Sequence, residues 1–170
     1  MEVLITGASV SSLGAQTALA LAHAGPAHLI LQGRSEAKIR PVINEIEIID
    51  PDVKATCAVF DLSSIEDVRK GAAEINRSFG HIDILINNAG IMAVKEFTKS
   101  VDGIELQFAT NHIGHFLLTN LLLANIVKAG IGARIVNLSS DAHRLSPFRG
   151  DDYNFEVSTK TAGFHQLDVG

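Results

Sequence analysis

Apolar residues along this chain alternate between two patterns. Short, nearly continuous apolar runs occur at Val3-Leu4-Ile5, at His28-Leu29-Ile30-Leu31, and over residues 55–60, 82–86 and 134–138. Runs of this length bounded by turn residues predict strands buried on both faces. Between them lie longer stretches with helical spacing. Ala15-Gln16-Thr17-Ala18-Leu19-Ala20-Leu21-Ala22 suits a buried helix, and Ala24-Gly25-Pro26 stops it. Ser35 can cap a second helix reaching Ile49, with Pro41 expected to kink it or to delay its start. Asp61-Leu62-Ser63-Ser64 leads into a third, apolar at Ile65, Val68, Ala72 and Ile75, and a long fourth is expected over residues 102–128. Five strands alternating with helices imply a parallel sheet with right-handed crossovers, in which ligands sit beyond the carboxyl ends of the strands.

The polar loops fall on that edge. Thr6-Gly7-Ala8-Ser9-Val10-Ser11-Ser12-Leu13-Gly14 joins the first strand to the first helix. A small-residue loop at this place lets backbone N–H groups and the positive end of the helix dipole meet a phosphate. The spacing is neither the G-x-G-x-x-G of dinucleotide sites nor a Walker A loop, and an ordinary βα turn has a similar composition. The other loops on the edge lift the nucleotide reading: Asn87-Asn88-Ala89-Gly90 after the fourth strand and Ser139-Ser140 after the fifth.

At 170 residues and 46% hydrophobic, the chain has the size of one domain with a sizeable core. A net charge of -5 with scattered Lys and Arg gives no electrostatic footprint for nucleic acid. The single cysteine, Cys57, excludes an internal disulfide, fits a reducing compartment and reads as a small core residue. Strand pattern begins almost at Met1, so no signal peptide is expected, and the longest apolar stretch, residues 116–127, falls short of the ~20 residues of a membrane-spanning helix. A cytoplasmic domain without a membrane span is the expectation.

Asn87-Asn88-Ala89-Gly90 and Ile135-Val136-Asn137-Leu138-Ser139-Ser140, together with Asn111-His112-Ile113-Gly114-His115-Phe116-Leu117-Leu118-Thr119 and Asp152-Tyr153-Asn154-Phe155, make the chain resemble a short-chain dehydrogenase/reductase, nearest the retinol-dehydrogenase-like branch. The resemblance runs from Met1 to about Glu156. It implies a single NAD(P)-binding domain with a Rossmann-type doubly wound parallel sheet in the order 3-2-1-4-5, lacking the family's last strands. It also implies that Thr6, Gly7, Ser12, Leu13 and Gly14 hold the pyrophosphate, Asp61 and Leu62 the adenine, and Asn87, Ala89 and Gly90 the adenosine ribose region. The family's loop reads T-G-x-x-x-G-x-G. Here Gly7 and Gly14 stand one residue further apart and Ser12 occupies a glycine position, so an altered loop with binding retained is expected. At the end of the second strand, Gly33-Arg34 replaces the carboxylate of NAD sites with a neutral residue and an Arg, which favours NADP over NAD.

In the family resembled, a Ser polarises the carbonyl, a Tyr is the acid/base, a Lys favours the phenolate and positions the ribose, and an Asn holds a water relay. Ser140 and Asn111 match. The family's Tyr-x-x-x-Lys does not. Lys160, in Ser158-Thr159-Lys160-Thr161-Ala162, has Glu156 four residues before it; Tyr153, thirteen residues after Ser140, has Val157 four residues after it. Both registers stay open, with the Lys160 register preferred and the tyrosine-bearing stretch then missing. The resemblance further implies that the fifth strand is a sheet edge and that Phe116, Leu117, Leu121 and Leu122 lose a helix partner, giving a marginal fold.

His112 and His115 are three apart on a helix, but nothing completes a metal site around them. Ser140, Asp141 and His143 lie too close in sequence for a hydrolase triad. The leading reading is therefore an NADP-dependent oxidoreductase acting on a small-molecule alcohol or carbonyl substrate. The alternative is a catalytically inactive nucleotide-binding or interaction domain. Self-association through the fourth helix, as a homo-oligomer, is compatible with either.

Overall fold

In the first strand Val3 and Ile5 face one way and Leu4 the other, and all three are fully buried, as are Leu29, Ile30 and Leu31 in the second. Apolar residues at consecutive positions need cover on both faces of a sheet. The computed structural model, which describes residues 1–144 and 150–156, supplies it. Strands β1 (Glu2–Thr6), β2 (His28–Gly33), β3 (Lys54–Val59), β4 (Ile84–Asn87) and β5 (Arg134–Asn137) form one parallel sheet in the order β3-β2-β1-β4-β5. This is the doubly wound order expected. Val3 lies between Leu29 and Ile84, and Ile5 between Leu31 and Ile86.

Helices α1 (Leu13–Ala22) and α2 (Glu36–Ile49) cover the face carrying Val3, Ile5, Leu29 and Leu31. Helix α3 (Ile65–Ser78) covers the face carrying Leu4 and Ile30, beside a long helix in three parts. That helix starts as α4 (Leu106–Phe108), passes through a π turn (Ala109–Ile113) and continues as α5 (Gly114–Lys128). No helix among the described residues is long and apolar enough to cross a membrane.

The structure departs from the sequence reading in three places. Pro41 neither delays nor divides α2, which starts at Glu36. The missing N–H costs one hydrogen bond to an exposed turn, while Ile39, Val42, Ile43 and Ile46 on the opposite face are buried and hold the helix. The long helix begins at Leu106 and not at residue 102, because Ser100 to Gly103 forms a turn with Gly103 at φ +77° and the Glu105 carboxylate accepts the N–H groups of Gln107 and Phe108. Finally, Leu122 is fully buried and Leu117 and Leu121 pack against the same core, since α3 is their partner. Phe116 alone of the four stands exposed. Among the described residues β5 stands at the edge of the sheet and pairs with β4.

Close packing at one glycine aligns the long helix with the sheet edge. A Cβ on Gly114 would run into the backbone carbonyl oxygen of Leu62, an atom with no freedom to rotate away. Gly114→Ala is therefore expected to destabilise the fold by about 1–3 kcal/mol despite alanine's higher helix propensity. Gly80→Ala, which meets nothing within 4 Å, should stay within about 0.5 kcal/mol of the parent. Equal urea midpoints for the two variants would contradict this packing.

Candidate functional site

Thr6 ends β1 with its side chain fully buried, and its one hydroxyl joins three segments of chain. The oxygen accepts the backbone N–H groups of Asn88 and Ala89, each at 2.9 Å, and lies 2.8 Å from Nε2 of His115 on α5. Asn88 Nδ2 in turn donates to the Thr6 carbonyl at 2.7 Å. The turn after β4 is thereby sewn to the end of β1. The next residue, Gly7, has φ +70°, and a Cβ there would stand 2.8 Å from Ala89 Cα. On Gly14 a Cβ would stand 2.6 Å from both Asn88 Nδ2 and the Gly7 carbonyl. Both glycines are required by backbone approach, and Gly7 by conformation as well.

Ser12 takes the glycine position with extended backbone (φ -103°, ψ 162°) and caps α1. Its hydroxyl donates to the Gly7 carbonyl at 2.8 Å and accepts the Ala15 N–H at 3.1 Å. The additional loop residue is absorbed at Ser11, which adopts φ +64°. Other loop amides are already committed: Gly7 to the Gln32 side-chain oxygen, Ala8 to the Gln32 carbonyl and Val10 to the Lys38 carbonyl. Leu13 and Gly14 open α1, so their N–H groups have no acceptor within the helix and point, with the helix dipole, toward the loop.

Around this loop the other expected residues take distinct places. Arg34 follows β2 on the surface, and its guanidinium has no hydrogen bond or ion pair among the described residues. Gly33 beside it is so close to the loop that a Cβ would stand 3.2 Å from Ser9 Oγ. Asp61 does not cap α3, a role held by Ser64; its carboxylate accepts both the N–H and the hydroxyl of Ser63 at 2.8 Å. Leu62 is buried under α5. Asn87 is buried and donates to Thr119 Oγ1 at 3.0 Å and Asn137 Oδ1 at 2.8 Å, tying β4 to β5 and α5. Gly90 faces Asn111, whose Oδ1 would stand 3.6 Å from a Cβ there.

Asn111 lies inside the π turn. Its side-chain amide clasps Ile91, accepting the N–H at 2.9 Å and donating to the carbonyl at 2.8 Å. Its own carbonyl accepts from His115 Nδ1 at 3.0 Å. Asn111 and His112 separate two cavities. One, about 390 Å³, lies among Asn87, His115, Thr119, Asn137 and Ser139. The other, about 330 Å³, is walled by Val94, Phe97, Phe108 and Phe155. The His112 ring stacks between Phe108 and Phe116.

Tyr153 reaches this region through Asn154, which accepts the Glu105 N–H at 2.6 Å and donates to the Gly103 carbonyl at 3.1 Å. The Tyr153 ring tilts against Phe108 with centroids 6.1 Å apart. Ser140 follows β5, and its carbonyl accepts Nδ1 of His143 at 2.6 Å, while Asp141 pairs with Arg144. These partners are not those of a hydrolase triad. Lys160 lies outside the described residues.

Gln32 and His115 are the residues whose roles the sequence reading missed. Each is a buried polar side chain inside an apolar run, which is the signal that marks them, since burial of a polar group demands a partner. The partners Gly7 and Phe60 of Gln32, and Thr6 of His115, are remote in sequence, whereas the second partner of His115, the Asn111 carbonyl, is one helical turn away.

This sheet order, glycine-lined loop and asparagine-bearing helix are those of the short chain dehydrogenase family, to which the chain belongs: the family's model matches residues 2–162. Among curated proteins it is 42% identical over 165 residues to human retinol dehydrogenase 13, covering 94% of this chain and 48% of that protein. It is 41% identical over 159 residues to the chloroplastic short-chain dehydrogenase TIC 32 A of Brassica napus, covering 91% and 49%. A metagenomic short-chain oxidoreductase solved in complex with NADP superposes with a TM-score of 0.71 at 26% identity, covering 93% of this chain and 68% of that one. The chain spans about half the length of the curated relatives it matches.

Burial holds the His115 imidazole below its ordinary value, only partly offset by its bond to the Asn111 carbonyl, and His112 lowers it further. His28, half-buried at the other end of β2, is lowered by burial as well. A base whose folded value is depressed binds fewer protons folded than unfolded. Its contribution is whole above about pH 6.5 and is lost as pH falls through the folded value. Urea denaturation should accordingly show lower stability at about pH 5.5 than at about pH 7.5, with a smaller difference in His115→Gln. An unchanged pH difference in that variant would remove His115 from the account.

Proposed function

We propose that this chain binds NADP at the carboxyl edge of the sheet and takes part in an oxidoreductase reaction interconverting an alcohol and a carbonyl compound. The observation that carries the reading is the loop of residues 7–14. Two glycines and the Ser12 cap bring the opening of α1 against the end of β1. The amides of Leu13 and Gly14 and the positive end of α1 suit a pyrophosphate there. Thr6, Gly7 and Ser12 shape the cradle. The guanidinium of Arg34, beside the loop and without a partner among the described residues, suits a ribose 2′-phosphate, a group that planar bidentate donors recognise well. Asp61 and Leu62 border the adenine side, and Ala89 and Gly90 the ribose side, with Asn87 fixing the turn between them.

The cofactor, when bound, supplies or accepts the hydride. Ser140 polarises the substrate carbonyl, and Asn111, whose side chain is anchored to Ile91, holds the relay water. Tyr153, whose ring packs against Phe108, is the acid/base in one register, and Lys160 is the family lysine in the other and preferred one. The two cavities that meet at Asn111 and His112 give a small-molecule substrate a polar compartment and an apolar one. The half-buried Cys57, whose thiol burial pushes up, fits a reducing compartment such as the cytoplasm. Exposed Phe116, Leu123 and Val127 on α5 suit self-association along that helix. The alternative of an inactive interaction domain gains no support over this reading.

The test is a fluorescence titration of the whole chain with NADPH and with NADH. A charge-assisted pair with Arg34 is worth about 1.5–3 kcal/mol, so NADPH should bind about tenfold tighter or more, and Arg34→Ala should remove that advantage while leaving NADH affinity unchanged. Absence of binding, or a preference for NADH, would contradict the reading.

A further inference from the structure

We propose that His115 is a positioning residue for the cofactor cradle, acting by accepting the hydrogen bond of the Thr6 hydroxyl and so reserving the lone pairs of the Thr6 oxygen for the turn after β4. The inference rests on the reading that residues 7–14 hold a dinucleotide.

The direction of every proton in the network follows from its partners. The Asn111 carbonyl can only accept, so His115 Nδ1, 3.0 Å away, carries a hydrogen. The ring is buried and neutral, which leaves Nε2 with a lone pair. Thr6 Oγ1, 2.8 Å from Nε2, has one hydrogen to donate, and its other acceptor among the described residues, the Ile86 carbonyl, is further off at 3.4 Å. The hydroxyl therefore donates its hydrogen bond to His115 Nε2. Both lone pairs of Oγ1 are then available to the N–H groups of Asn88 and Ala89, each at 2.9 Å. Those two residues are the ones against which Gly7 and Gly14 pack. One imidazole thus fixes the cradle through Thr6 and the π turn through the Asn111 carbonyl.

Protonation breaks this arrangement. Nε2–H would become a third donor to an oxygen with two lone pairs, and one amide of the β4 turn would lose its acceptor. Little else nearby is charged. The cavity that His115 lines presents Asn87 from β4 and Asn137, Leu138 and Ser139 from β5, all neutral, while β1 presents Thr6; His112, on the same long helix, is the titratable group whose charge reaches the ring.

The experiment measures NADPH affinity of the whole chain and of three variants, with the imidazole tautomer of the unaltered chain read by 15N NMR. His115→Leu removes the acceptor and should weaken NADPH binding about tenfold. His115→Gln, whose amide oxygen can accept the Thr6 hydrogen bond, should recover affinity to within about threefold of the parent. Leu118→Ala, a core truncation on the same helix, sets the effect of lost stability alone and should leave affinity unchanged. The NMR signature expected is Nδ1–H with Nε2 unprotonated, which decides the matter even if His115→Leu fails to fold. Parental affinity in His115→Leu, no recovery in His115→Gln, or an Nε2–H tautomer would overturn the inference while the cofactor reading stands. No binding of NADPH by the unaltered chain would overturn both.

Discussion

Everything at the carboxyl edge of this sheet depends on how closely the first turn of α1 and the turn after β4 approach the end of β1. That approach is set at Thr6. Its hydroxyl satisfies two backbone amides of one turn, while the residues on either side of the gap, Gly7, Gly14 and Ala89, are small enough for backbone to meet backbone. A buried hydroxyl used in all three of its hydrogen-bonding capacities is energetically exacting, because any unmatched partner is left without water to replace it. The same contact that closes the fold also shapes the cradle, so cofactor binding and stability at this edge share one set of atoms.

The loop shows how a departure from a family pattern can be absorbed locally. One added residue between Gly7 and Gly14 and a serine in place of a glycine would each disturb a tight turn. The structure confines the first to Ser11, which alone in the loop adopts left-handed backbone without being glycine, and turns the second into a helix cap. The extra length is tied down by Gln32 and Lys38, which hold the amides of Gly7, Ala8 and Val10. Leu13 and Gly14, whose amides open α1, have no acceptor within the helix.

The parallel sheet was legible in the sequence because a strand covered on both faces must be apolar at every position, and Val3-Leu4-Ile5 and Leu29-Ile30-Leu31 are; its order was legible only through the family resemblance. The loop was legible from its small residues, and the Asn87 turn from its composition. What local patterning left out are effects decided by distant neighbours. Pro41 reads as a breaker, yet the burial of Ile39, Val42, Ile43 and Ile46 outweighs one lost bond. The π turn at Ala109–Ile113 has no periodic signature, since it adds one residue to an otherwise regular helix. His115 stands out in the sequence only as part of the Asn111–Thr119 run and as one of two histidines around which nothing completes a metal site, because its actual partner, Thr6, lies more than a hundred residues away.

The most direct test of the central claim is hydrogen–deuterium exchange on the whole chain with and without NADPH. The account predicts added protection in the peptides containing residues 7–14, Arg34 and residues 87–91, with β3 and the body of α3 unchanged. Protection confined to other segments, or saturable binding with no protection of residues 7–14, would contradict it.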